Sequence, residues 1–158
     1  MLTKQLETVF RDTTIRPALV SIGLWSLAAE ELLLGTAMQE SRLTHRTQLG
    51  GGPALGLFQM EPATHDDIWT NFLKYRNALG KLITDLRTAT PVDALGQLRQ
   101  NDRYAAGMAR VHYKRASGPL PAAGDTDAMA AYWKKYYNTP SGAGKQEHYV
   151  KLWTSVMG

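Results

Sequence analysis

The chain has 158 residues, of which 44% are hydrophobic and 20% are charged, as is usual for one folded domain with a sizeable core. It contains no cysteine, which excludes disulfides, thiol catalysis and cysteine-ligated metals. The formal net charge of +4 suits an anionic partner, but the basic residues are scattered and no zinc-finger, RNA-recognition or helix-turn-helix signature predicts a nucleic-acid partner.

Helical periodicity dominates the first third of the chain. Residues 3–10 form a short amphipathic segment, and Pro17 is placed to begin a second helix that Gly23 ends. Residues 1–23 are therefore predicted to be an N-terminal helical extension. A long helix rich in Leu and Ala is predicted over 24–43. No apolar run reaches the ~18 residues that span a bilayer, so no membrane insertion is predicted, and the first residues lack the apolar region of a signal peptide.

The rest of the chain alternates glycine-rich or proline-rich loops with helical segments. The segment THRTQLGGGPALG, residues 44–56, predicts a loop or a small β-excursion, and no Lys-Ser/Thr follows its glycines to make a phosphate-binding loop. Helices are predicted over 62–79, 81–89, 90–100, 102–116, 127–137 and 145–157. Their expected N-caps include Thr64, Thr90 and either Asp125 or Thr126. The pattern predicts a mainly α, single-domain chain over 1–158 with minimal β content.

Glu40 is the carboxylate whose position is unusual. On a helical wheel it shares its face with Leu33 and Ala37, whereas Glu30 and Glu31 fall on another side. A carboxyl on a buried face is destabilising unless it is paired or protonated, and desolvation raises its pKa towards the value that a general acid needs near neutral pH. The alternative is a frayed helix end, or an ion pair with a nearby arginine such as Arg42 or Arg46.

The motifs around Glu40 resemble those of a known enzyme family. Glu40-Ser41, in MQESRL, is followed by GPALGLFQMEPAT, which carries Gly56-Leu57-Phe58-Gln59. A third element, YYNTPSGAGKQEHYVKLW, contains Tyr137-Asn138 and Tyr149-Val150. In this order the three elements resemble the soluble lytic transglycosylases of the lysozyme-like superfamily. The differences are Phe58 for the usual Met, Glu61 where the family is apolar, and an altered glycine turn in the third element.

The resemblance implies a lysozyme-like fold and a peptidoglycan-cleaving activity. Glu40 would protonate the glycosidic oxygen between N-acetylmuramic acid and N-acetylglucosamine and then, as a base, take the proton of the C6 hydroxyl to leave a 1,6-anhydro sugar. The residues that the resemblance assigns to substrate binding are Ser41, Gly56, Leu57, Phe58, Gln59, Tyr137, Asn138 and Tyr149. Tyr149 is also expected to hydrogen-bond to Glu40. For each of these the alternative is a structural role in a turn, a cap or the aromatic core.

Two rival functions stay open. Glu61 is a second carboxylate that could orient a water molecule and make the enzyme a hydrolytic muramidase. Asp66 and Asp67 are further candidates, although acidic residues are common near helix starts for electrostatic reasons. The other rival is a non-catalytic protein, either a wall-binding or a virion structural protein, that kept the fold.

No cofactor or metal is expected. The four histidines, His45, His65, His112 and His148, form no close pair on a helix face, and the four tryptophans are more typical of a core. The segment GGGPALGLFQMEPATHDDIW is similar to proteins of tailed bacteriophages and prophages. That similarity implies peptidoglycan glycan strands as the partner, with virion proteins as further partners. It also implies delivery in a phage virion or release to the bacterial periplasm and cell wall, without a signal peptide.

Overall fold

The chain is mainly helical, as predicted. A computed structural model describes residues 1–138 and 142–158. Its α-helices are α1 (Lys4–Phe10), α2 (Arg16–Ser21), α3 (Leu27–Ser41), α4 (Pro62–Asn71), α5 (Asn77–Asp85), α6 (Ala94–Gln100), α7 (Asp102–Lys114), α8 (Thr126–Trp133) and α9 (Gln146–Met157). The described residues contain no strand. Part of the predicted interruption NTPSGAG, residues 139–141, lies outside the described residues.

The first two helices form one continuous rod because a π-helical turn, Arg11–Ile15, joins them. Pro17 has no backbone N–H, so the carbonyl of Thr13 lacks the partner that an α-helix would supply. The Arg103 guanidinium donates to that carbonyl at 2.9 Å. Ile15, two residues of α2 and Ile22 lie in the main hydrophobic core, so the segment 1–23 packs as part of the same body.

Helix α3 is largely buried and is shorter than predicted at both ends. It begins at Leu27 because the Ser26 hydroxyl accepts the N–H of Ala29 at 3.0 Å and so caps the helix. It ends at Ser41 because the next two residues, Arg42 and Leu43, adopt left-handed backbone with φ of 52° and 54°. Two successive non-glycine residues in that region are uncommon and turn the chain sharply away from the helix axis.

Glu30 is a correction to the helical-wheel prediction. Its side chain is fully buried instead of facing away from the core. The carboxylate accepts two hydrogen bonds from Arg16, at 2.6 and 2.8 Å, and one from the Trp25 indole at 2.7 Å. These partners hold the pKa of Glu30 below its usual value against the opposing effect of burial. The pair fastens α3 to α2.

Two predicted N-caps are wrong. Helix α4 begins at Pro62, two residues before Thr64, because proline needs no N–H partner in the first turn. Helix α6 begins at Ala94 instead of near Thr90, because the Asp93 carboxylate accepts the N–H of Gly96 at 2.8 Å. The predicted cap of α8 by Asp125 is confirmed, with a bond of 3.0 Å from the N–H of Ala128.

The glycine-rich segment after α3 is the small β-excursion that the sequence allowed. It consists of two isolated antiparallel bridges, Thr47 with Leu55 and Leu55 with Met60. Gly56 has φ of +75°, and a Cβ there would lie 2.3 Å from the carbonyl oxygen of Leu98, so only glycine fits. Among the described residues no helix is long and apolar enough to cross a membrane.

Candidate active site

A cavity of about 580 Å³ opens where the C-terminal end of α3 meets the loop that follows it. Five residues singled out from the sequence line this cavity: Glu40, Gln59, Glu61, Tyr137 and Asn138. The rest of its lining is His45, Gln48, Leu49, Ala54, Met60, Thr64, His112, Gly142 and Ala143. Residues from α3, α4, α7 and the segment after α8 therefore meet around one space.

The Glu40 carboxyl has a strongly raised pKa. Burial raises the pKa of its carboxyl to about 7, and a hydrogen bond from the Trp133 indole, Nε1 to Oε1 at 3.0 Å, opposes the rise. No ion pair within the described residues includes Glu40. Arg46, a candidate partner, instead forms a fork with Asp102, with 3.0 Å between Nη2 and Oδ2. The carboxyl is therefore half protonated near neutral pH.

The turn Gly56-Leu57-Phe58-Gln59 is held against the end of α3 by two hydroxyl groups. The Ser41 hydroxyl donates to the carbonyl of Leu57 at 2.6 Å. The Tyr137 hydroxyl donates to the carbonyl of Phe58 at 2.6 Å, and burial raises the pKa of that phenol well above its usual value. The two bonds clamp the turn beside Glu40.

Five of the predicted site residues do not line the cavity. The side chains of Leu57 and Phe58 are buried, and the Phe58 ring packs on Phe10 with centroids 6.2 Å apart. Gly56 is pressed against the backbone of α6, and Ser41 is 1% exposed. The fifth is Tyr149. These residues shape the turn and the core, and the side chain of the turn that reaches the cavity is Gln59.

Gln59 and Asn138 each use one end of the amide to hold the backbone. The Gln59 amide nitrogen donates to the carbonyls of Gly56, at 2.9 Å, and His45, at 3.2 Å, which leaves its oxygen as an acceptor at the cavity. The Asn138 oxygen accepts from the Lys134 ammonium at 2.9 Å and from the backbone N–H of Gly144 at 3.1 Å. Its amide nitrogen is the end left for the cavity.

The expected hydrogen bond between Tyr149 and Glu40 is not formed. The Tyr149 hydroxyl is buried against Gly35, where a Cβ would lie 2.0 Å from it, and it has no hydrogen-bond partner among the described residues. Its ring packs on Trp133, with centroids 5.5 Å apart. Trp133 donates to Glu40 in its place. The sequence signal for Trp133 was its spacing of four residues from Tyr137, which places both on one helical face.

The second carboxylate, Glu61, is exposed and lies at the N-cap of α4, on the lining of the same cavity. Asp66 and Asp67 do not line it. Asp66 accepts a hydrogen bond from His65 at 3.0 Å, and Asp67 pairs with Arg115 at 2.6 Å.

His112 is a cavity residue that sequence reasoning did not assign. It follows Met108 and Tyr104 at four-residue intervals on the buried face of α7, and a polar ring on that face was the available signal. Burial, with the charge of Arg115, lowers the pKa of the imidazole to about 4, so the ring is neutral at physiological pH. No group of three His, Asp or Glu residues that could hold a metal occurs among the described residues.

A second cavity, of about 690 Å³, lies between α8 and α9. The charged groups on its wall, Asp127, Glu147 and Lys151, are all exposed. The smaller cavity, which contains the buried Glu40 carboxyl, is the better candidate for chemistry.

Comparison of the chain with protein-family models, with curated proteins and with solved structures finds no match.

Proposed function

We propose that the chain is a lysozyme-like lytic transglycosylase that cleaves peptidoglycan between N-acetylmuramic acid and N-acetylglucosamine. The observation that carries the proposal is the Glu40 carboxyl, which lines a cavity large enough for sugar rings, has a pKa of about 7 and has no cationic partner within the described residues. A group with that pKa can give up and recover a proton near neutral pH at little cost.

The mechanism needs one carboxyl group. Protonated Glu40 gives its proton to the glycosidic oxygen as the bond between C1 and that oxygen breaks. The 2-acetamido carbonyl of the substrate stabilises the positive charge that develops at C1. The Glu40 carboxylate then takes the proton of the C6 hydroxyl while O6 bonds to C1. The products are a 1,6-anhydro end and a free 4-hydroxyl, and no water is consumed.

Trp133 supports both halves of this cycle. Its indole N–H donates to Oε1 of Glu40 at 3.0 Å, which holds the carboxyl in one orientation and stabilises the carboxylate after the first proton transfer. Gln59, Tyr137 and Asn138 line the cavity beside it and are proposed to bind or shape the glycan site.

A hydrolytic muramidase is the second candidate, and the position of Glu61 favours it. Glu61 lies on the same cavity wall as Glu40 and is exposed, so it is available as a base for a water molecule. In that case the fragment would end in a reducing sugar instead of a 1,6-anhydro sugar.

The test is digestion of purified peptidoglycan sacculi, with the released muropeptides weighed by mass spectrometry. We expect anhydro ends from the wild type, which are one water lighter than reducing ends, and no products from Glu40→Gln. Exposed Glu147→Gln is the matched control and should digest as the wild type does. Reducing ends that disappear in Glu61→Gln would establish the muramidase instead. Full lysis by Glu40→Gln would refute both activities, and no products from the wild type would favour a non-catalytic wall-binding or virion structural protein.

The biological setting is also a proposal. A net charge of +4 favours adsorption to the anionic cell wall. The motif similarity supports a bacteriophage protein that acts from the virion or after release to the periplasm and cell wall.

A further inference from the structure

His112 is held by a chain of charged groups that leads away from the cavity. The Arg115 guanidinium, through Nη2, lies 3.1 Å from Nδ1 of the imidazole, and through Nη1 it lies 2.6 Å from the Asp67 carboxylate. The Tyr137 ring packs edge-on against the imidazole, with centroids 5.1 Å apart. The ring is thus fixed from two sides.

These contacts determine which nitrogen of the ring carries the proton. A guanidinium can only donate hydrogen bonds, so Nδ1 of His112 must accept and carries no hydrogen. The neutral ring then has its hydrogen on Nε2. No hydrogen bond joins Nε2 to any described residue, and His112 lies on the cavity wall with Glu40.

We propose that His112 is a substrate-binding residue whose Nε2–H donates a hydrogen bond to the carbonyl oxygen of an N-acetyl group on the glycan. The choice of this oxygen follows from the chemistry of the donor. An acetamido carbonyl can only accept a hydrogen bond, so it matches a fixed N–H donor. A sugar hydroxyl can either donate or accept, so a fixed donor discriminates little between one hydroxyl and another. The substrate class in this inference rests on the proposed function.

The role of Arg115 and Asp67 is to position the donor. The ion pair prevents Nδ1 from becoming the protonated nitrogen, and the lowered pKa of His112 is consistent with a ring that stays neutral beside a cation. In ¹⁵N NMR spectra of the whole protein, the His112 ring should show the Nε2–H tautomer. Arg115→Met should give a mixture of tautomers without altering the fold as seen by circular dichroism.

Binding is measured in the Glu40→Gln background, which does not cleave the probe. The probes are the trimer of N-acetylglucosamine and the trimer of glucosamine, which lacks the acetyl groups. His112→Leu should weaken binding of the acetylated trimer by about threefold to tenfold, the effect of one neutral hydrogen bond, and leave binding of the glucosamine trimer unchanged. His112→Gln, whose amide nitrogen can take the place of Nε2, should recover most of the affinity.

The matched control is His148→Leu, because His148 is an exposed histidine of α9 outside the cavity, and it should leave both affinities unchanged. The inference would be overturned if His112→Leu left the affinity of Glu40→Gln for the acetylated trimer unchanged, or if it weakened binding of both trimers equally. It would also be overturned if the acetylated trimer did not bind at all, or if NMR showed the hydrogen on Nδ1 of His112. Failure of the proposed activity would appear separately, as intact sacculi after treatment with the wild type. A loss confined to the acetylated trimer would support the binding role in either case.

Discussion

Replacing Glu40 with glutamine should make the protein more stable above neutral pH while it abolishes activity. The Gln amide oxygen can still accept the Trp133 indole N–H, so the substitution removes the titrating group and keeps its hydrogen bond. The wild-type carboxyl has a pKa raised from 4.5 to about 7 by burial, so the folded state holds a proton that the unfolded state has already lost. The wild type therefore loses stability as the pH rises between these two values, and the variant does not.

The size of the effect follows from that displacement. A shift from 4.5 to about 7 corresponds to about 3 kcal/mol in the free energy of unfolding once the pH exceeds both values. For a chain of this length, such a difference is about 8 °C in melting temperature. The two proteins should melt together near about pH 4, and the variant should melt about 8 °C higher near about pH 8.5.

The assay is thermal unfolding followed by circular dichroism across this pH range, with the muropeptide digest run on the same samples. Glu147→Gln is the control, since neutralising an exposed carboxylate changes stability by no more than about 0.5 kcal/mol. Parallel pH dependences for the wild type and Glu40→Gln would refute the reasoning, because they would mean that Glu40 is solvated and ionises normally. The comparison between the two proteins cancels the contribution of every other group.

Four further changes test the surroundings of Glu40. Trp133→Phe removes the indole N–H that donates to Glu40, so the pKa of Glu40 should rise by about one unit. The alkaline limb of the pH profile of kcat/KM should then move to higher pH by the same amount. An unmoved limb would contradict this prediction. Tyr149→Phe deletes a buried hydroxyl without a partner in the described residues, so urea unfolding should show equal stability or a gain of about 1 kcal/mol, with lysis unchanged. Gly35→Ala should lose about 1–3 kcal/mol because its Cβ would meet the Tyr149 hydroxyl, and a gain from helix propensity alone would refute that packing. The wild type should lose about 3 kcal/mol of unfolding free energy as the pH falls from 6.5 to about 4, since a histidine with a lowered pKa is protonated first in the unfolded state. His112→Gln should not show this loss. The same loss of stability at acid pH in both proteins would show that the His112 ring is not buried in its neutral form.

Much of the helical framework could be predicted because its signals are local. The break at Gly23, the cap at Asp125 and the helix over 102–116 all depend on residues within a few positions of one another. Prediction failed where two local signals competed. Proline at the first turn of α4 displaced Thr64, and the carboxylate of Asp93 displaced Thr90, because each winning residue satisfies the first helical turn more directly.

The residues at the cavity depended on contacts that are distant in the chain. Glu40 could be singled out from one helix, since its place on an apolar face follows from the period of the helix. Its partner could not, because the bond to Trp133 crosses 93 positions of sequence, and both Trp133 and Tyr149 are aromatic residues near the same end of the fold. Gly35 leaves room for the Tyr149 hydroxyl beside α3, while the Trp133 indole contacts the Glu40 carboxyl.

The sequence by itself determined the helical class, the break after the first helices, the glycine-rich excursion and the unusual position of Glu40, because each depends on side-chain periodicity or on backbone preferences within one segment. Only the tertiary structure decided that Trp133 holds Glu40, that Leu57 and Phe58 face the core, and that His112 lies on the wall of the same cavity. The physical reason is that desolvation and hydrogen bonding depend on which groups the packed helices bring together. Contacts between residues far apart in the chain follow no sequence period, so the sequence pattern does not predict them.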